Sequence, residues 1–143
     1  MKSILHKLEL QTKLDIELVN ITEQVIQAVG QAGIQTGVAH VITMHTTTAI
    51  TVNEDLQDIE DDLVALLTRL VPEDGNYRHA RFLHSDGQTA VNATAHLRAA
   101  LLGPNLSFPV EDGHLVMGER QTIYFVELDG PQRRRMVIQI LGD

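Results

Sequence analysis

The residues best suited to chemistry crowd into one stretch. Residues 79–96 read His79-Ala-Arg-Phe-Leu-His84-Ser-Asp86-Gly-Gln-Thr-Ala-Val-Asn92-Ala-Thr-Ala-His96, so three of the chain's seven histidines fall there beside a carboxylate. Imidazole is the commonest protein ligand for transition metals, and carboxylates complete many such sites. His79, His84, Asp86 and His96 are therefore a candidate set for a divalent ion, Mg or Zn. Their spacing matches no closed zinc motif such as His-Glu-x-x-His, and the competing reading is a set of solvated loop histidines. Asn92 precedes His96 by four residues, which puts both on one face of a helix. Asn92 and Asp86 join the candidates for catalysis.

Two further polar groups stand elsewhere. His45-Thr46-Thr47-Thr48-Ala49 follows an apolar, β-branched run, and Glu54 comes shortly after it. His45 is a candidate for catalysis and a third imidazole for a metal or anion pocket with His79 and His96. Glu54 is a candidate base or ligand. Against this, threonines are simply good strand formers, and Glu54 can serve a helix start. Arg133-Arg134-Arg135 is the one cationic run. In a strand, Arg133 and Arg135 share a face and Arg134 points away. Two guanidiniums on one face suit a phosphate or diphosphate, and Arg134 is then expected to tolerate Gln. The alternative is an edge strand guarded by charge.

The elements that must hold these residues follow from periodicity. Alternation predicts strands over residues 3–12 and 14–20, the second with Leu14, Ile16 and Leu18 on one face. A helix follows from residue 21, with Thr22 as cap, Ile21 and Ile26 as a hydrophobic staple, and Val25, Ile26, Val29 and Ala32 as its buried stripe. Gly33 is its stop. Residues 37–44 read as a central strand in which His40 is structural. Residues 50–54 continue the sheet.

Leu56, Ile59, Leu63, Leu66, Leu67 and Leu70 make the apolar face of a helix over residues 56–71. Its acidic start suits the exposed N–H dipoles. A long polar connection over residues 72–90 leads to a short helix from about Asn92 to Leu102, with Ala93, Leu97 and Leu101 facing inward. Strands are expected over residues 106–111, 114–118, 122–128 and 132–141. Asp112-Gly113 is a type I′ hairpin signal between the first two. The order is ββαββααββββ, an α+β chain read as one domain over residues 1–143.

Composition narrows the function. The formal charge is −8, which argues against a nucleic-acid partner, since displacing counterions needs a cationic face. There is no cysteine, hence no disulfide, thiol nucleophile or Cys-type zinc site. No apolar run approaches the roughly 20 residues of a membrane span, and no signal-peptide pattern is seen, so a cytoplasmic protein without a membrane partner is expected.

Several segments together resemble a known family. They are His45-Thr-Thr-Thr-Ala-Ile-Thr-Val-Asn-Glu54, Leu70-Val-Pro-Glu-Asp-Gly-Asn-Tyr-Arg-His79, Asn92-Ala-Thr-Ala-His-Leu-Arg-Ala-Ala-Leu-Leu-Gly-Pro104 and Asp129-Gly-Pro-Gln-Arg-Arg-Arg135. In that order they resemble the YjbQ family, UPF0047, also called secondary thiamine-phosphate synthase. The resemblance covers nearly the whole chain and falls most clearly on His45, His79, Asn92 and His96. It implies a sandwich-like α+β fold with flanking helices, a homotrimer, a small phosphorylated substrate and a weak thiamine-phosphate synthase activity. Where the family usually carries Gly-Thr-Trp-Gln, this chain has Gly118-Glu119-Arg120-Gln121, and Thr48 is an extra hydroxyl in the histidine motif. Besides this transferase, the residues leave open a metal-dependent hydrolase of a small phosphate or ester, and a non-catalytic trimeric module that binds an anion or a metal.

Overall fold

A computed structural model describes residues 1–80 and 91–143. His84 and Asp86 lie outside the described residues. The elements run β1 (Lys2–Gln11), β2 (Glu17–Asn20), α1 (Thr22–Ala32), β3 (Thr36–Thr43), β4 (Thr48–Asn53), α2 (Gln57–Leu70), a 3₁₀ turn (Arg78–Ala80), α3 (Ala93–Leu102), β5 (Asn105–Glu111), β6 (His114–Leu115), β7 (Thr122–Glu127) and β8 (Arg133–Gly142). This is the order that periodicity predicts.

The strands form two antiparallel sheets, one ordered β1-β8-β3-β5-β6 and one ordered β2-β7-β4. Alternation gives each sheet an inner face. Val41, Phe108, Met136 and Ile138 of the larger sheet meet Ile50, Ile123 and Phe125 of the smaller, with Val25 and Val29 of α1 closing the same core. The other face of the smaller sheet carries Ala49, Tyr124 and Val126 and lies under Leu67 of α2 and Ala95 and Ala99 of α3. Strand β7 is covered on both sides, which is why it is buried at every position and reads as a continuous apolar run rather than an alternating one. Full burial of a side chain such as Phe125 or Ile138 contributes roughly 1.5–3 kcal/mol.

Several local expectations are corrected. β2 is short because the Glu17 carboxylate accepts from the N–H groups of Lys13 (2.7 Å) and Leu14 (3.2 Å), bending the chain ahead of the strand. β6 ends after Leu115. Val116 N–H still donates to the Pro109 carbonyl at 2.9 Å, but proline has no N–H to return the bond. Thr22 does not cap α1; its hydroxyl accepts from Ile123 N–H (2.9 Å), and Asn20 takes the N–H of Thr22 (3.0 Å). Ile26 is exposed, so no staple forms. Gly33 does stop the helix, with φ +63°.

The short helix is turned from its expected face. Leu97 and Leu101 are 44% and 58% exposed, while Ala93, Ala95, Arg98 and Ala99 are buried. Alanines let α3 sit close on β4; leucines there would hold it away. In α2 the apolar stripe is wider than the surface it covers. Leu67 is buried, while Leu66 and Leu70, and Leu56 just ahead of the helix, are exposed. β8 pairs with β1 along its whole length and with β3 from Met136 onward, so β8 is an interior strand while its arginine run is paired on the β1 side alone.

Candidate functional site

Helix α3 and residues 76–79, which lead into and begin the 3₁₀ turn, face each other across a cavity of about 410 Å³. Asn76, Tyr77, Arg78 and His79 line one wall, and Ala93, His96 and Leu97 the other. Each element has a local cause. Pro72 lacks the N–H that would continue α2, and the Tyr77 hydroxyl turns back to donate to the Pro72 carbonyl at 2.6 Å. The His79 and His96 rings stand edge to face with centroids 5.0 Å apart. Sequence reasoning groups these two histidines with His45 around one pocket; the fold brings His79 and His96 together, while His45 is not among the residues that line this cavity.

A buried arginine ties α3 to the segment that follows α2. Arg98 donates from Nε (3.2 Å) and Nη2 (2.7 Å) to the Val71 carbonyl, and from Nη1 to Glu73 Oε1 (2.8 Å). Thr94 Oγ1 donates to the second Glu73 oxygen at 3.3 Å. Sequence reasoning missed Arg98, though a signal was present: Thr94 and Arg98 are four residues apart and share the face of Ala95.

The remaining candidates are spread over the fold. Asn92 Nδ2 donates to Asp129 Oδ2 at 2.9 Å, tying the start of α3 to the turn before β8. His45 stands beyond the end of β3, where its Nε2 accepts from Arg135 N–H at 2.8 Å. That bond places the ring proton on Nδ1. Burial lowers the pKa of His45, as do the charges of Arg134 and Arg135, against an opposing pull from Glu127. Glu54 pairs with Arg120 at 3.0 Å, so the arginine at the family's usual tryptophan position engages a residue of the His45 motif. Among the described residues, no three His, Asp or Glu side chains gather as a metal site.

Strand alternation sorts the arginines as expected, with an unforeseen role for the middle one. Arg133 is exposed and paired with Glu9 at 2.6 Å. Arg133, Arg135 and Glu9 line a shallow hollow. Arg134 is buried and grips Glu127, itself fully buried, through Nε (2.9 and 3.0 Å) and Nη2 (2.7 Å). Arg134 Nη2 also reaches Thr47 Oγ1 at 2.9 Å, so one hydroxyl of the histidine motif serves the interior. Tyr124 was also missed. Its buried hydroxyl donates to Glu60 at 2.8 Å. Burial, then the hydrogen bond and charge of Glu60, push its pKa above the ordinary phenol range. Among the described residues no helix is long and apolar enough to cross a membrane.

Comparison with known proteins places this architecture. The model of the UPF0047 protein YjbQ-like family matches residues 6–143. A UPF0047 protein of Archaeoglobus fulgidus is 39% identical over 135 residues, 94% of this chain and 99% of the relative. The Bacillus subtilis UPF0047 protein YugU is 32% identical over 97% of this chain and 100% of its own. Among solved structures, a YbjQ-like protein of unknown function from Sulfolobus solfataricus has a TM-score of 0.91 at 35% identity, covering 99% of each chain. A Clostridium acetobutylicum protein of the YjbQ/UPF0047 family has a TM-score of 0.86 at 33% identity, covering 95% of this chain and 99% of its own. Agreement in sequence and fold along nearly the full length makes this chain a member of the UPF0047 family of YjbQ-like proteins.

Proposed function

We propose that the His79–His96 cavity binds a small phosphorylated heterocycle and that the chain acts on it as a thiamine-phosphate-synthase-like transferase. One observation carries the binding part. Arg78 and two crossed imidazoles share a cavity whose described lining, with Tyr77 and Leu97 as apolar surface, contains no carboxylate. On a chain with a formal charge of −8, such a hollow is where an anion is least repelled. Imidazole N–H groups and a guanidinium give charge-assisted bonds to phosphate oxygens.

The reaction comes from the family resemblance. The thiazole nitrogen attacks the methylene carbon of a hydroxymethylpyrimidine diphosphate, forming a C–N bond. The C–O bond to the diphosphate breaks, and pyrophosphate leaves with the electron pair. The chain's part is to hold the leaving diphosphate and stabilise its growing charge, with Arg133 and Arg135 as a second cationic patch. A metal-dependent hydrolase is the second reading. It would draw on the same two imidazoles, which meet at the cavity. The resemblance also implies a homotrimer, and the exposed Leu66, Leu70, Leu97 and Leu101 are apolar surface that an assembly would cover.

The test is to incubate the purified chain with both precursors and measure thiamine phosphate and pyrophosphate. Product is expected from the wild type and a large loss in His79→Ala and His96→Ala. A wild type that neither forms product nor binds pyrophosphate would overturn the proposal. Hydrolysis of generic phosphoesters that follows added metal would favour the hydrolase.

A further inference from the structure

A guanidinium on the alanine face of α3 needs an explanation. Arg98 is 1% exposed. A buried charge is costly, and an apolar side chain of similar volume would often serve stability as well or better. The partners of Arg98 indicate what it does instead. Val71 closes the C-terminus of α2, where carbonyls lack helical partners and a cation is favoured. Arg98 takes the Val71 carbonyl with two donors and Glu73 with a third, and Thr94 takes the other Glu73 oxygen. Val71 and Glu73 bracket Pro72, whose carbonyl receives the Tyr77 hydroxyl. Tyr77 is followed directly by Arg78 and His79 on the cavity wall.

We infer that Arg98 is a positioning residue that holds the His79 wall in register with the His96 wall. This rests on reading the cavity as an anion site. His96 stands two residues before Arg98, so α3 presents one ring and, through the guanidinium clamp, fixes the segment that carries the other. A lysine keeps the charge but not the planar fork that holds a carbonyl and a carboxylate together.

The experiment follows two signals in the full-length protein. One is the NMR cross-peak between His79 and His96 ring protons, assigned with His79→Ala. The other is pyrophosphate affinity by calorimetry, with a thermal melt as the check on folding. Arg98→Lys is expected to lose the cross-peak and weaken pyrophosphate binding tenfold or more, with a cooperative melt retained. Glu73→Gln, which keeps an acceptor but not its charge, is expected to fall between it and the wild type. An Arg98→Lys protein that keeps the cross-peak and binds within twofold of wild type would overturn the inference. If Arg98→Lys does not fold, Glu73→Ala replaces it with the same expectations and the same refuting result. If the wild type does not bind pyrophosphate, the anion reading fails, and the cross-peak alone decides whether Arg98 positions the rings.

Discussion

Replacing Arg134 by glutamine should be among the most damaging single changes in this chain. Alternation alone makes Arg134 the expendable member of its run, so the test separates local from tertiary reasoning. Arg134 is 3% exposed and Glu127 is 0% exposed. The substitution removes three donor contacts to the carboxylate and one to Thr47. The carboxylate keeps Thr12 Oγ1 (2.7 Å) and Leu128 N–H (3.1 Å) but loses its only cationic partner among the described residues. Leaving one charge of a buried pair uncompensated costs about 3–5 kcal/mol. With a urea slope of roughly 2 kcal/mol per molar, the unfolding midpoint should drop by roughly 1.5–2.5 M. Arg133→Gln is the control; its pair with Glu9 is exposed and worth at most about 1 kcal/mol. Replacing both Arg134 and Glu127 with leucine should cost much less than the two single changes added together. Urea unfolding followed by circular dichroism decides. Equal midpoints for Arg134→Gln and Arg133→Gln would refute the buried pair.

Other consequences can be checked in parallel. His45 has a folded pKa below its ordinary 6.5, so the unfolded chain binds more protons as pH falls past that value. Its contribution to stability is therefore full above about 6.5 and declines below it. The urea midpoint of His45→Gln should depend less on pH between about 5 and 8 than that of the wild type, and parallel curves would remove this account. Arg133→Gln and Arg135→Gln should each weaken pyrophosphate binding roughly tenfold to a hundredfold, if each loses a charge-assisted bond of about 1.5–3 kcal/mol. Glu9→Gln should strengthen binding by freeing Arg133, and unchanged affinity in all three variants would take this patch out of the site. Light scattering should report a trimer; a stable monomer at micromolar concentration would refute it.

Local chemistry fixes what depends on neighbours along the chain. The order of strands and helices follows from period, and Gly33 and Asp112-Gly113 stop and turn the chain where expected. Asp112 and Gly113 both take positive φ, +52° and +76°, because few other residue pairs accept that conformation. Periodicity also separates Arg133 and Arg135 from Arg134, since alternation is a property of any strand. It does not say which face is buried or what waits there. The inward face of α3 was misread because leucine outranks alanine and arginine on any hydrophobic scale. The actual choice was made by distance to β4 and by partners 25 to 27 residues away for Arg98. Glu127 looks like a lone acid in an apolar strand until Arg134 and Thr12 surround it, the latter 115 residues distant. A buried charge is tolerated only where such partners converge, and their convergence is a fact of chain packing that residue spacing does not encode.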